Sequence, residues 1–217
     1  MLPKYRILSQ NEHFLVIDKG PGIGMHDEGG EPGLVSLMRA ETGLALYPVH
    51  RLDKMTSGLL LLARTPEANR ALSMGFAERV VAKQYLALSD RKPKKKQGWI
   101  KGDMQKGRGG SWLLARTQEN PAISWFDSTP VREGLRLYRI KPQTGKTHQI
   151  RVAMKSIGAP ILGDERYGGT AADRGYLHAW RLAFTLWGAP FTFESAPDLG
   201  EAFTPPELAQ AIARLAP

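Results

Sequence analysis

Residues 50–64 read His-Arg-Leu-Asp-Lys-Met-Thr-Ser-Gly-Leu-Leu-Leu-Leu-Ala-Arg. A polar, charged cluster meets an unbroken apolar run at Gly58. An apolar run of that length, bounded by turn chemistry, has the signature of a fully buried strand. The cluster therefore stands at the mouth of the core, where a rigid strand can hold a side chain in place. Asp53 is its only carboxylate, flanked by Arg51 and Lys54. That pattern suits an ionised, aimed carboxylate, and it equally suits an ordinary charged turn with Lys54 as the counter-charge.

Upstream, Tyr5–Leu8 and Phe14–Asp18 are strand candidates with a turn at Asn11 and Glu12. Gly20-Pro-Gly-Ile-Gly24 must be loop. It has neither the Walker lysine nor dinucleotide spacing, so a plain turn is expected rather than a phosphate cradle. Leu34, Leu37 and Met38 recur with helical spacing, and Gly43 is the natural stop.

Downstream, Thr65 is an expected N-cap, with Pro66 at the first helical position and Glu67 at the positive end of the dipole. Ala68, Leu72 and Phe76 then share that helix's inner face. Val80–Ser89 reads as a strand with Lys83, Tyr85 and Ala87 on one side, where a tyrosine is ordinarily just a packed aromatic. Residues 91–96, Arg-Lys-Pro-Lys-Lys-Lys, form a solvated positive loop containing Lys94, Lys95 and Lys96. Lys101, Lys106 and Arg108 extend the charge with Trp99 and Trp112 interleaved, which suits either mobile surface or RNA. Trp112–Ala115, Ile123–Phe126 and Leu135–Ile140 are further strand candidates, and their spacing suggests a largely antiparallel sheet.

Residues 143–151 open a helix with Thr147 as expected N-cap and Ile150, Met154 and Ile157 as its buried stripe. Arg151, at the edge of that stripe, calls for a carboxylate or phosphate, or else snorkels to water. Leu177–Trp187 and Phe191–Phe193 form a closing hairpin around Gly188–Pro190, and Thr204–Glu207 has the pattern of a capping box before a last helix. No internal repeat is present.

The chain has 217 residues, enough for one elaborated domain with a sizeable core. It holds no cysteine, which excludes disulfides, thiolate zinc sites and thiol chemistry. Nothing approaches the roughly 20 apolar residues of a membrane span, so a soluble cytoplasmic protein is expected. Thirty Lys and Arg against 21 Asp and Glu give a net charge of +9, which favours a polyanionic partner over a merely basic surface.

Taken together, His50–Gly58 with Leu59–Ala63, the Lys83-Gln-Tyr85-Leu-Ala87 strand and Gly145-Lys-Thr-His-Gln-Ile-Arg-Val152 resemble the RluA family of RNA pseudouridine synthases. Phe14–Lys19, Ile161–Asp164 through Gly168, and Leu177-His-Ala179 with Leu182 and Phe184 are similar to further blocks in the same order. The likeness spans nearly the whole chain. Arg91–Pro130 is the least family-like part, and Ala153 stands where the family often has histidine. Many relatives carry a small RNA-binding domain ahead of the catalytic one. This sequence opens in the catalytic block, so one catalytic domain over 1–217 is expected.

The resemblance implies an α+β pseudouridine synthase fold: a mixed, largely antiparallel central sheet with flanking helices and loops. It implies isomerisation of uridine in structured RNA, ribosomal or transfer, with neither cofactor nor metal. Asp53 would be the catalytic aspartate, as nucleophile or as base. Arg151 would keep it ionised, and Tyr85 would stack on the target uracil. Arg51 would fill the gap left by a flipped base, and Lys54, Lys83, Lys94, Lys95, Lys96, Lys146 and His148 would contact RNA. The rival readings are a non-catalytic RNA-binding module and a hydrolase that releases the base. A monomer without an obligatory protein partner is expected.

Overall fold

The computed structural model describes residues 4–215. The chain runs through strands β1 (Tyr5–Gln10) and β2 (Phe14–Lys19), helix α1 (Leu34–Thr42), strands β3 (Tyr47–Pro48) and β4 (Ser57–Ala63), and helix α2 (Pro66–Ala77). Strands β5 (Ala82–Ser89), β6 (Gln97–Gly102), β7 (Met104–Lys106), β8 (Trp112–Leu114), β9 (Ala122–Arg132) and β10 (Leu135–Pro142) follow. Helix α3 (Gln149–Ser156), strands β11 (Leu177–Leu186) and β12 (Ala189–Glu194), and helix α4 (Pro206–Ala213) complete it. Among the described residues no helix is long and apolar enough to cross a membrane.

Two compact units share these elements: Met1–Lys83 with His178–Pro197, and Gln84–Leu177 with Asp198–Pro217. In the first, strands follow the order β1-β2-β4-β11, with β12 on β11 and β3 on β4. All of its pairings are antiparallel except β4 with β11. Every residue of β2 and β4 is buried, as expected of strands covered on both faces. The parallel contact joins Ser57 and Gly58 to His178 and Ala179. Gly58 has φ +105°, and a Cβ there would lie 2.3 Å from the Ala179 carbonyl oxygen. Only glycine fits, so the residue that ends the polar cluster also permits the strand pairing.

Local rules place the helices of this unit. The Thr65 hydroxyl accepts from Ala68 N at 3.2 Å to start α2, and Gly43 ends α1 at φ +68°. In the Gly20–Gly24 loop region, Asp27 accepts from Gly33 N at 2.8 Å, the behaviour of a turn. The β11–β12 hairpin turns on Trp187 and Gly188, at φ +49° and +83°, with Leu186 opposite Ala189. It is therefore a two-residue turn, one step earlier than the expected Gly188–Pro190.

The second unit has the antiparallel order β5-β10-β9-β6, plus a separate β7–β8 pair. Four expectations need correction. Strand β5 starts at Ala82, not Val80, because Arg79 turns the chain at φ +62°. Strands β6 and β7 occupy part of the basic segment: in β6 only Ile100 and Gly102 are buried, and the outward-facing Trp99 spoils the polar–apolar alternation. Strand β9 runs on to Arg132 through Pro130, which lies past the last β6 pair (Gln97 with Asp127), where a proline is tolerated. Neither late helix uses its expected cap. The N-cap of α3 is His148 at φ +56°, not Thr147, and α4 begins after Pro205 while the Thr204 hydroxyl donates to Glu201 O at 3.0 Å.

Candidate active site

The loop that carries Asp53 is fastened at both ends inside the first unit. At its start, the Leu61 N–H donates to His50 Nε2 at 2.9 Å, so the imidazole proton sits on Nδ1. The His50 ring stacks on Phe76 at 4.5 Å, and the Lys83 ammonium lies 5.7 Å from the centre of that same Phe76 ring. Burial, and then Lys83, hold the His50 pKa down to about 3 although the ring keeps some exposure, while burial also lowers the pKa of Lys83. His50 is thus a neutral structural peg.

At the far end the fastening is a buried ammonium. Lys19 is fully buried, and its Nζ donates to Gly20 O at 2.9 Å, Thr56 O at 2.7 Å and Lys54 O at 3.4 Å. Three donors on a compact charge suit converging carbonyls. The Gly20–Gly24 loop backs the arrangement, with Gly22 N donating to Lys54 O at 2.7 Å. Thr56 N donates to Asp53 O at 2.9 Å and closes the turn. Between these anchors Arg51 and Lys54 are exposed and Asp53 is half-buried. The cluster is a closed turn pinned at both ends.

Ser57 is tied further in. Its hydroxyl lies 2.8 Å from His178 Nδ1, and His178 Nε2 lies 2.8 Å from Ser195 O. A carbonyl can only accept, so Nε2 carries a proton, and in the neutral ring the Ser57 hydroxyl donates to Nδ1. The Ser195 hydroxyl donates to Asp18 at 2.5 Å, and Arg6 pairs with the same carboxylate at 3.1 Å. This chain of bonds, buried from Ser57 to Asp18 and open at Arg6, links β2, β4 and β11.

In the second unit, Tyr85 is buried on β5 opposite Ile140 of β10. Arg151 is buried on α3 and grips Asp164 with two parallel bonds, Nε to Oδ2 at 2.8 Å and Nη2 to Oδ1 at 2.9 Å. The guanidinium also lies 5.0 Å from the centre of the Tyr167 ring. The Tyr167 hydroxyl accepts from Trp112 N at 3.0 Å and lies 2.7 Å from His148 Nδ1; burial raises its pKa. So Arg151 does not snorkel. It has a carboxylate, and Asp164 is the residue that sequence reasoning quoted in a block without assigning it a task. Gln149 anchors this end of the helix in place of a threonine cap. Its Oε1 accepts from Lys146 N at 3.0 Å and Thr144 Oγ1 at 2.6 Å, and its Nε2 donates to Ser124 Oγ at 2.9 Å.

The expected RNA-contacting residues divide between the units. Lys94, Lys95 and Lys96 are exposed, while Lys146 is half-buried with its Nζ donating to Asn120 O. Lys83 is turned onto Phe76, and His148 onto Tyr167. Lys19 and Asp164 were the omissions. The visible signals were a lysine ending a buried strand just before glycine, and an aspartate after Gly163 in a tight loop.

The model of the family described as RNA pseudouridylate synthase matches residues 13–156. An uncharacterised RNA pseudouridine synthase of Haemophilus influenzae is 46% identical over 209 residues, covering 95% of this chain and 93% of its own. Ribosomal large subunit pseudouridine synthase D of Nitrosomonas europaea is 33% identical over 218 residues, covering 88% of this chain and 63% of its own, so this chain spans less than two thirds of it. Among solved structures, human RNA Pseudouridylate Synthase Domain Containing 1 superposes with a TM-score of 0.76 at 25% identity, covering 91% of this chain and 86% of that one. The signature loop, the blocks on either side of it and the fold all agree, and the chain belongs to the RluA family of RNA pseudouridine synthases, which are isomerases.

Proposed function

We propose that this protein isomerises specific uridines of structured RNA to pseudouridine, with Asp53 as the catalytic aspartate. The observation that carries the reading is the signature loop itself: a half-buried carboxylate held between a histidine peg and a buried lysine. A carboxylate so held can attack the anomeric carbon of the ribose or remove a sugar proton. In this reading Arg151 keeps Asp53 ionised, as the family likeness implies, because a guanidinium suits that task better than an ammonium. Tyr85 stacks on the target uracil. A base inside folded RNA must first be flipped out at a cost of a few kcal/mol, and the exposed Arg51 fills its place. The exposed Lys54 and Lys94–Lys96, with Lys83, Lys146 and His148, contact the RNA.

The first target to examine is the large ribosomal RNA, because relatives covering most of this chain are ribosomal large subunit pseudouridine synthases; transfer RNA is the second. The reaction rearranges one nucleotide without oxidation and asks for no cofactor. The match over 13–156 draws on both compact units, which supports reading 1–217 as one catalytic domain; we take it to act as a cytoplasmic monomer.

Pseudouridine mapping of cellular RNA tests this, with the gene removed and then restored as wild type or Asp53→Ala. At least one site should vanish and return only with wild type. Free uracil as the product would point to a hydrolase, and an unchanged map would reduce the protein to an RNA-binding module.

A further inference from the structure

The outer face of the second unit carries a feature outside that machinery. Register places Trp99 of β6 opposite Trp125 of β9, and Trp125 opposite Lys141 of β10. Residues paired directly across strands share a face. Ile100, Ser124, Phe126 and Ile140 point inward and are buried. Trp99 is 53% exposed, Lys101 is exposed, and Trp125 and Lys141 are half-buried. The Lys101 ammonium lies 5.3 Å from the Trp99 ring and that of Lys141 5.3 Å from the Trp125 ring. Arg139 stands 5.9 Å from Trp125, but Asp127 holds it at 2.7 Å and 3.1 Å, and its Nη1 donates to the Leu215 carbonyl where α4 ends. The positive charge of this face therefore rests on Lys101 and Lys141.

From this face we infer a second RNA site: Trp99 and Trp125 stack unpaired bases of the substrate RNA while Lys101 and Lys141 take the flanking phosphates. An exposed indole on an edge strand needs a reason, since natural edges are guarded against sticky apolar surface. Side-by-side indoles with a lysine on each flank match what single strands require, a π-face for every base and a cation near every phosphate. A protein partner would also cover indoles, but lysines beside both rings on a chain of net charge +9 favour a polyanion. The exposed Lys94–Lys96 loop leads directly into β6 and continues the positive path. That the ligand is RNA rests on the proposed function; the platform rests on register and exposure.

The test is fluorescence titration of the whole protein with a 20-nucleotide oligouridine, alongside pseudouridine formation on a large-subunit ribosomal RNA transcript. Oligouridine should quench tryptophan emission. Trp99→Ala should weaken binding about 10-fold, and Trp99→Phe should restore most of it. On the transcript, Trp99→Ala should raise KM and leave kcat unchanged. Lys101→Gln with Lys141→Gln should reduce the salt-dependence slope by about 1.4, at roughly 0.7 per phosphate contact on a single strand. Unchanged oligouridine affinity in a folded Trp99→Ala protein overturns the site. So does a dimer, seen by sedimentation, that Trp99→Ala dissociates, because the face would then be a protein interface. If wild type makes no pseudouridine while Trp99→Ala still loses affinity, the functional reading fails and the platform stands.

Discussion

Lys19 in the first unit and Arg151 in the second are both buried cations, satisfied in opposite ways. Lys19 directs a compact ammonium at the carbonyls of residues 20, 54 and 56. Arg151 lays a planar fork along one carboxylate, that of Asp164. An ammonium can serve oxygens converging from several directions, whereas a guanidinium prefers two parallel acceptors. The first cation therefore organises a backbone, the loop on which Asp53 rides. The second organises a charge, and its own orientation is set by its partner. Loss of the first should loosen a position; loss of the second should strand a carboxylate.

Four substitutions, at three positions, can break that contrast. Arg151→Met leaves Asp164 buried and unpaired, with an expected loss of about 3–5 kcal/mol in denaturant unfolding. Arg151→Lys keeps the charge but loses the fork, so turnover should fall at least about 100-fold with a smaller stability loss; near-normal turnover would remove Arg151 from the mechanism. Gly58→Ala meets the Ala179 backbone and a φ of +105°, and should cost about 3 kcal/mol or more of thermal stability. Lys19→Met should cost about 2 kcal/mol, because carbonyls lose a partner while a buried charge is also relieved. Its kcat should drop by more than that modest destabilisation suggests, since the Asp53 loop is what relaxes. Equal, proportionate losses in both would make Lys19 a core residue and nothing more.

The smallest effect concerns the histidine peg. With a folded pKa of about 3 against 6.5 in the free side chain, His50 stays neutral in the fold while the unfolded chain takes up a proton. Its contribution is therefore fully present above pH 6.5 and is lost as pH falls toward 3. The slope is at most about 1.4 kcal/mol per pH unit, and less where the ring keeps some exposure. Urea midpoints measured from pH 7 to pH 5 should fall with wild type, and His50→Gln should flatten that dependence.

Much of this molecule was legible along the chain. The run 59–62 is buried as its composition requires, Thr65 caps its helix and Gly43 ends another. Each of those outcomes depends on a few adjacent residues. The failures share another origin. Thr147 and Thr204 have the right chemistry for caps, but Gln149 reaches Ser124 in a distant strand and Pro205 already sets the backbone at the start of α4. β6 was hidden because its outward face mixes Gln97 and Lys101 with an exposed Trp99, so burial on the other face left only Ile100 and Gly102 as a signal.

Amino-acid order alone was enough for the family, the reaction class and the order of strands and helices along the chain on either side of Asp53, because those follow from contiguous motifs and local propensity. It could not place Lys19 beneath the loop, Asp164 on Arg151, or Trp99 beside Trp125. Those pairs lie 35 or more residues apart for Lys19 and Lys54, and on separate strands for the two indoles. Only sheet register and the shape of the buried interior bring such residues together, and neither is a property of any short stretch of chain.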